Sequence, residues 1–315
     1  MAKNQKIPEI VARLEENIAS AVYGKRNVIR YALVALFAGE HLLLEDVPGV
    51  GKTLLARSLA KSLSSSFKRI QFTPDLIPAD ITGGSIFNPR EQAFEFFEGP
   101  IFANIVLADE ISRTTPRTQS ALLEAMSEHQ VSCDGTTRLL PPPFMVIATE
   151  NPIEFEGTFP LPESQLDRFL LRVSIGYPKR EDELAVLRAH QLNQPIDTIE
   201  PVLTTDDVLK AQQEVRQITL SDEVRNYILD LVEATRTCAE LFVGVSPRGG
   251  IAMCRAAQSL AFVSGRTYVV PDDVKNLAVP VFAHRIIPKS AGQATRRENA
   301  EGIIQRFLGT ITCPG

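Results

Sequence analysis

The residues in this sequence best suited to chemistry form a glycine loop that ends in a lysine and a threonine. Glycines allow backbone N–H groups to turn inward around phosphate oxygens. The pattern GxxxxGK[ST] is complete here except that Asp46 replaces its first glycine. The apolar run His41–Glu45 precedes the loop and a helical pattern over Thr53–Ser62 follows it. This order of strand, loop and helix predicts a site for the phosphates of ATP or ADP.

Each residue type in the loop predicts a role. Lys52 is expected to reach the β- and γ-phosphates, and the Thr53 hydroxyl to bind Mg²⁺. The alternative, a glycine turn followed by a surface lysine, does not account for the flanking strand and helix. The expected nucleotide contacts of the loop are Pro48, Gly49, Val50, Gly51, Lys52, Thr53 and Leu54.

Two carboxylates, Asp109 and Glu110, end the apolar run that begins at Asn104. Asp109 is expected to bind Mg²⁺ beside Thr53. Glu110 is expected to polarise the attacking water, a role that contributes about 10²–10⁴-fold. An acidic pair that ends a strand, taken alone, is more often a helix N-cap. Together with the glycine loop, it predicts hydrolysis of ATP.

Asn151 follows the apolar run Phe144–Thr149. It is suited to holding the attacking water or sensing the γ-phosphate, and equally to opening a turn before Pro152. The preceding motifs favour a place in the catalytic site.

Two arginines lie where they would extend this site. Arg168 either stabilises charge on the transferred phosphate or pairs at the surface with Asp167 or Glu163, and spacing does not decide between these. Arg248 lies in the first turn of a predicted helix. It either reaches back across a cleft to the nucleotide or is a solvated helix-start residue.

Alternating strands and helices are predicted to position these residues. Besides the run before the glycine loop, we predict strands at Arg69–Thr73, Asn104–Asp109, Phe144–Thr149 and Leu170–Ile175. We predict helices in this half at Ile7–Ala21, Asn27–Phe37, Thr53–Ser62 and Thr115–Ser127. The alternation is typical of an α/β fold with a parallel sheet covered on both faces. Ligands of such sheets bind at the carboxyl ends of the strands.

Two segments interrupt the alternation, Ser85–Phe97 and Gln130–Leu140, and both are predicted to be hairpins. After Pro178 only helical patterns follow, at Glu181–Leu192, Thr205–Ile218, Asp222–Glu240, Pro247–Val263 and Pro271–His284. The polar segment Asn193–Thr204 is the predicted linker. The chain is therefore divided into a nucleotide-binding domain (1–192) and an all-α domain (193–315).

The composition narrows the class of protein. The net charge of −5 gives no general positive field for nucleic acid, although a local basic patch is not excluded. The N-terminus lacks the apolar core of a signal peptide. No apolar run approaches the length of about 20 residues that a membrane span requires. Four cysteines and four histidines are dispersed. We therefore expect a cytoplasmic protein with reduced thiols and no zinc site.

These motifs together resemble the MoxR family of AAA+ ATPases, and the similarity extends from about Val22 to Ile286. The most specific stretches are Leu44–Thr53, Ala108–Met126, Ala148–Pro152 and Leu161–Phe169. The family usually has asparagine in place of Ser112 and glycine in place of Glu40. Neither departure involves a residue with a proposed chemical role.

The resemblance implies an αβα core with a five-stranded parallel sheet and an all-α C-terminal lid, assembled as a ring that is usually hexameric. In such a ring Arg168 would complete a neighbour's site, Arg248 would be the nucleotide sensor of the lid, and Tyr23 and Gly24 would lie beside the adenine.

It also implies identities for the two hairpins. Residues 72–100 would be the insert in the second helix and 130–140 the hairpin before the sensor strand, and both tend to face the ring pore. MoxR proteins are chaperone-like motors that mature or activate partner complexes. They commonly work with a protein that carries a von Willebrand A domain, so we expect such a partner and a client complex.

Three other functions remain open at this stage. A nucleic-acid motor would show nucleic-acid-stimulated ATPase activity, but Phe94 lies among glutamates and the chain is acidic. A metal-chelatase motor subunit would need its catalytic partner. A small-molecule kinase would act as a monomer. The sequence names neither client nor ring size, nor whether Arg113 or Arg117 also acts across the subunit interface.

Overall fold

A computed structural model describes residues 6–152, 157–189, 195–289 and 293–314. Its strands are β1 (Leu42–Glu45), β2 (Phe67–Gln71), β3 (Gly83–Asn88), β4 (Ala93–Glu98), β5 (Ile105–Asp109), β6 (Gln130–Cys133), β7 (Thr136–Leu139), β8 (Met145–Glu150), β9 (Leu171–Val173), β10 (Leu241–Val243) and β11 (Ile287–Pro288). Its helices are α1 (Lys6–Ala19), α2 (Arg26–Ala38), α3 (Lys52–Ser62), α4 (Pro78–Thr82), α5 (Pro116–Glu128), α6 (Glu163–Leu166), α7 (Arg180–Ala189), α8 (Thr205–Val215), α9 (Asp222–Thr237), α10 (Pro247–Val263), α11 (Pro271–Phe282) and α12 (Gln293–Thr310).

The central sheet has five parallel strands in the order β2-β5-β8-β1-β9. This confirms the predicted parallel sheet, with strand ends that differ by at most two residues. β9 ends at Val173 because the next residues bond elsewhere: Lys25 Nζ donates to the carbonyl oxygens of Ile175 and Tyr177, each at 2.8 Å. The carboxyl ends of β1, β5 and β8 lie together at one edge of the sheet.

The sheet lies between two apolar layers. Along β5, Ile105 and Leu107 pack in the cluster that includes α2 and α3, whereas Val106 and Ala108 pack in the cluster that includes α5. All five β5 residues are buried. A strand buried on both faces has a continuous apolar sequence, which is why this strand could be predicted from the sequence.

Both predicted hairpins are present, as β3–β4 and β6–β7. Phe87 lies opposite Phe94 at the outer end of the first hairpin, with ring centroids 5.4 Å apart. The two hairpins touch where the Arg138 guanidinium lies 3.7 Å from the Phe96 ring centroid. The short helix α4 that leads into β3 was not predicted.

The C-terminal region consists mainly of helices α8–α12, as expected. Three of their starts are capped by hydroxyl side chains: Thr204 for α8, Ser221 for α9 and Ser246 for α10. The short antiparallel pair β10–β11 was not predicted. Neither was α12, in which the buried apolar residues among those described are only Ala300, Ile303 and Ile304.

The segment between the two regions is only partly described. Of the predicted helix Glu181–Leu192, residues 180–189 form α7, and 190–194 lie outside the described residues. The rest of the predicted linker packs against the first region, since the backbone N–H of Val202 donates to Ser62 O at 2.7 Å. No helix among the described residues has the length and hydropathy to span a membrane.

The helical region also covers the edge of the sheet at β9. The buried Arg285 donates to the carbonyl oxygens of Phe169 at 2.7 Å and Leu170 at 3.2 Å, and its Nε lies 2.6 Å from Asp167 Oδ1. An exposed strand edge would otherwise present unpaired carbonyls to solvent. These contacts fix the helical region to the amino-terminal end of β9.

Candidate functional site

The glycine loop joins β1 to α3 as predicted. Gly49 and Gly51 have φ values of +85° and +99°, and a Cβ added at either position would have nothing within 4 Å. Backbone conformation rather than crowding therefore requires glycine at both positions. Because α3 begins at Lys52, its positive N-terminus faces the loop, which favours bound phosphate.

Lys52 is folded into this loop. Its Nζ donates to Asp46 O at 2.6 Å and lies 3.5 Å from Glu150 O. The ammonium group thereby links the ends of β1 and β8. A buried cation held by backbone oxygens at the loop is in position to meet the phosphates of a nucleotide.

Asp46 anchors the loop to the end of β9. Its carboxylate accepts hydrogen bonds from Val47 N and Ser174 Oγ, each at 2.8 Å, and from Gly176 N. Burial alone would raise the pKa of Asp46, but these hydrogen bonds bring it below its ordinary value. An aspartate in place of the usual glycine thus has a structural role, which the motif did not reveal.

Asp109 is held on both carboxylate oxygens. Thr149 Oγ1 donates to Oδ1 at 2.6 Å, and Arg69 donates to Oδ2 from Nη2 at 2.6 Å and Nε at 3.0 Å. The Asp109 side chain is only 11% exposed. The same Thr149 hydroxyl accepts from Glu110 N at 2.8 Å. One threonine of β8 therefore positions both acidic residues.

Glu110 has the left-handed conformation, with φ 60°. Such conformations cost free energy and cluster at functional sites. Its Oε2 accepts from Gln71 Nε2 at 2.9 Å and pairs with Arg113 Nε at 3.1 Å. The carboxylate is thereby held between β2 and the turn after β5, and Arg113 has its partner within its own chain.

Sequence reasoning missed Arg69, Gln71 and Thr149. Gln71 lies opposite Asp109 in the β2–β5 register, but the pairing joins residues about 40 positions apart and no local pattern indicates it. The only available signal was the run of polar side chains in β2, at Lys68, Arg69 and Gln71.

Thr53 and Asp109 fit a magnesium ion. Both offer hard oxygen ligands, which Mg²⁺ prefers, and protein sites commonly hold it with one or two such groups plus substrate phosphates. Asp109 Oδ2 accepts two N–H groups of the Arg69 guanidinium, so a magnesium ion at this oxygen would take the place of another cation.

Asn151 and Glu150 lie at the end of β8. Asn151 is half-buried directly after the strand, at the edge that carries the loop and the acidic pair. Burial, and then the neighbouring carboxylate of Glu45, raise the pKa of Glu150 to about 7, and Arg172 acts in the opposite direction. The residue before Asn151 therefore has a pKa that depends on the charges around it.

The turn at Tyr23 and Gly24 lies beside the loop. Gly24 has φ +68°, and a Cβ there would meet Asp182 Oδ2 of α7 at 2.1 Å. The next residue, Lys25, bonds the segment after β9 that also holds Asp46. The predicted adenine contact thus lies next to the phosphate loop, and its role remains a prediction.

Arg168 lies at the opposite edge of the sheet, just before β9. Its guanidinium group donates to Leu123 O and to Ser127 Oγ at 2.9 Å, both on α5. Asp167, one of the two surface partners considered for it, binds Arg285 and Arg248 instead.

Arg248 lies at that same edge. Its Nε is 3.9 Å from Asp167 Oδ2, and its side chain is 57% exposed. The four-residue β1 separates this edge from the phosphate loop by about 13 Å, at roughly 3.3 Å per residue. In this arrangement Arg248 pairs with Asp167 at the end of the sheet away from the loop, and its contact with a nucleotide remains a prediction.

Two family profiles match the chain. The profile described as "ATPase family associated with various cellular activities (AAA)" matches residues 41–171. The profile described as "AAA lid domain" matches residues 233–306. The first match contains the glycine loop, the acidic pair, Asn151 and Arg168, and the second contains Arg248.

Similar proteins cover nearly the whole chain. It is 46% identical to the uncharacterized protein YeaC of Bacillus subtilis over 100% of this chain and 98% of that protein. It is 39% identical to Chaperone MoxR1 of Mycobacterium tuberculosis over 93% of this chain and 79% of that protein. The crystal structure of a candidate ATPase from Cytophaga hutchinsonii is 36% identical, has a TM-score of 0.90 and covers 99% of this chain and 97% of its own. Both the sheet region and the helical region are included in these similarities.

Proposed function

The chain belongs to the MoxR family of AAA+ ATPases, and we propose that it hydrolyses magnesium-bound ATP in a ring of identical subunits to remodel a partner protein complex. One observation carries this proposal. Arg168 and Arg248 lie at the edge of the sheet opposite to the phosphate loop of their own chain. A second copy of the chain, placed against this edge, would bring arginines in these positions to the phosphates.

Residues of one chain provide the first part of the proposed site. The glycine loop and Lys52 bind the phosphates, Asn151 holds the attacking water, and Glu110 polarises it. Thr53 and Asp109 hold magnesium, which when bound neutralises charge on the β- and γ-phosphates.

A neighbouring chain provides the second part. Arg168 bonds a carbonyl and a hydroxyl in its own chain, and within the part of the chain that the structure describes it forms no ion pair with a carboxylate. Arg248 is more than half exposed and its closest carboxylate is shared with Arg285. Arginines in trans stabilise charge on a transferred phosphate, an effect worth about 10³–10⁵ in rate.

The hairpins are the proposed contact with the partner complex. Phe87, Phe94 and Leu139 are 49%, 73% and 77% exposed, which is unusual for large apolar side chains and typical of protein interaction sites. Glu95 and Glu98 on the same hairpin make it a poor surface for nucleic-acid phosphates. A protein client, with a von Willebrand A domain protein as helper, fits better, and a cytoplasmic location is consistent with this activity.

Activity measured against protein concentration tests the proposal. Specific ATPase activity should rise steeply with concentration and follow the assembled fraction measured by analytical ultracentrifugation, because each site needs two chains. A matched measurement on the Lys52→Ala variant gives the background. Undiminished turnover by a strictly monomeric protein would overturn the proposal and favour a small-molecule kinase.

A further inference from the structure

One arginine binds the carboxylate that we propose as a magnesium ligand. Arg69 directs Nε and Nη2 to the same oxygen, Asp109 Oδ2, at 3.0 and 2.6 Å. The geometry points to Arg69 as a positioning residue that holds Asp109 until the magnesium–nucleotide complex binds and is then displaced. It would thereby set how strongly nucleotide binding depends on magnesium. The inference rests on the proposed magnesium site.

The two partners differ in their freedom to move. The Asp109 side chain is 11% exposed and its other oxygen is fixed by Thr149, whereas the Arg69 side chain is 49% exposed. A long arginine side chain at the rim of a sheet can turn into solvent at little cost. When another cation arrives at Oδ2, Arg69 is therefore the partner that leaves.

The local charges also favour an exchange. Asp109 and Glu110 are adjacent carboxylates, and Arg69 and Arg113 each pair with one of them. This compensation keeps the acidic pair ordered before any metal binds, since two uncompensated carboxylates would repel each other and the nucleotide phosphates. Once magnesium supplies its own positive charge, the same arginine competes with it for one oxygen.

Arg69 also links the two carboxylates. Its Nη2 donates to Gln71 Oε1 at 2.6 Å, and Gln71 Nε2 donates to Glu110 Oε2 at 2.9 Å. The arginine thus fixes the orientation of the amide that holds Glu110. Its departure from Asp109 would remove this constraint as well, so binding of the metal complex and release of the catalytic glutamate would be coupled through one side chain.

The affinity for ADP with and without magnesium tests this inference without requiring turnover. Calorimetry on the full chain gives the ratio of the dissociation constant in EDTA to that in magnesium. The Arg69→Met variant should raise this ratio about fivefold to tenfold, because magnesium loses a competitor and metal-free nucleotide meets an uncompensated carboxylate. Lys68→Met, which removes a positive charge from the exposed opposite face of the same strand, should leave the ratio within about twofold of the wild-type value.

Several outcomes would overturn the inference. An unchanged ratio in Arg69→Met would make the arginine merely structural, and a lower ratio would show that it binds phosphate together with the metal. Arg69→Gln, which keeps a hydrogen-bond donor without the charge, should raise the ratio equally and serves if the methionine variant does not fold. A wild-type ratio of one would instead refute the magnesium site on which the inference rests.

Discussion

Glu150 illustrates how strongly the residues at the phosphate edge affect one another. Glu150 lies opposite Glu45 in the register of β8 and β1. Arg172 Nη1 lies 3.4 Å from Glu45 Oε2. Burial and the second carboxylate raise the pKa of Glu150 from 4.5 to about 7. The folded chain therefore binds this proton more readily than the unfolded chain does. The stability contributed by the group is complete below about pH 4.5 and is lost as the pH rises through about 7.

The Glu150→Gln variant should remove this dependence. Between about pH 5 and pH 8, the wild-type protein should lose about 1–3 kcal/mol of unfolding free energy relative to the variant. Thermal unfolding of the nucleotide-free protein across this pH range measures the difference. Glu233→Gln, at an exposed position of α9, is the control and should follow the wild-type profile. If the stability of wild type and of Glu150→Gln changed with pH in the same way, ionisation of Glu150 would not destabilise the folded protein, which would contradict this prediction.

At the scale of elements, sequence reasoning succeeded where one short segment determines the structure. The runs that became β1, β5 and β8 are continuous and apolar because both faces of these strands are buried. β5 ends in Asp109, and β1 and β8 are followed directly by Asp46 and Asn151, so strand, loop and acidic pair could be predicted together. The hairpin β6–β7 was equally clear from its Asp134–Gly135 turn.

Contacts between distant segments were not predictable in the same way. Arg69 reaches Asp109 only through the register of β2 and β5. The position of Arg248 depends on how the helical region docks at β9, through Arg285 and Asp167. Both depend on tertiary packing, which the helical period or strand alternation of a single segment does not encode.

Two aromatic side chains of the hairpin β3–β4 differ in how closely they are held to the rest of the protein. Phe96 contacts Arg138 and lies 5.9 Å from the Phe102 ring, whereas Phe94 is 73% exposed at the outer end. Phe96→Ala should therefore lower the unfolding free energy by about 1–3 kcal/mol. Phe94→Ala should change it by less than about 0.5 kcal/mol.

Thermal unfolding of both variants measures the difference, and basal ATPase activity of Phe94→Ala should remain at the wild-type level. A large loss of stability in Phe94→Ala would mean that this side chain supports the fold. It would then not be available to a partner protein.

At the scale of the whole molecule, our proposal divides the site between two ends of each chain. The phosphate loop, Glu110 and Asn151 lie at the carboxyl edge of the sheet, and Arg168 and Arg248 lie at the other. The helical region fixes this separation because Arg285 holds it to the amino-terminal end of β9. Head-to-tail contacts between such chains form a ring where the rotation between neighbours closes, and in the ring we propose every interface would complete one site.

Mixing of inactive subunits tests this account most directly. Glu110→Gln rings should bind ATP without hydrolysing it, and Arg168→Ala/Arg248→Ala rings should also be inactive. When the two are mixed, ATPase activity should return, because the double variant supplies an intact loop and Glu110 while its neighbour supplies both arginines. Activity restored by the single Arg168→Ala variant but not by the double variant would place Arg248 in its own chain's site. No restoration with either would contradict a site shared between subunits.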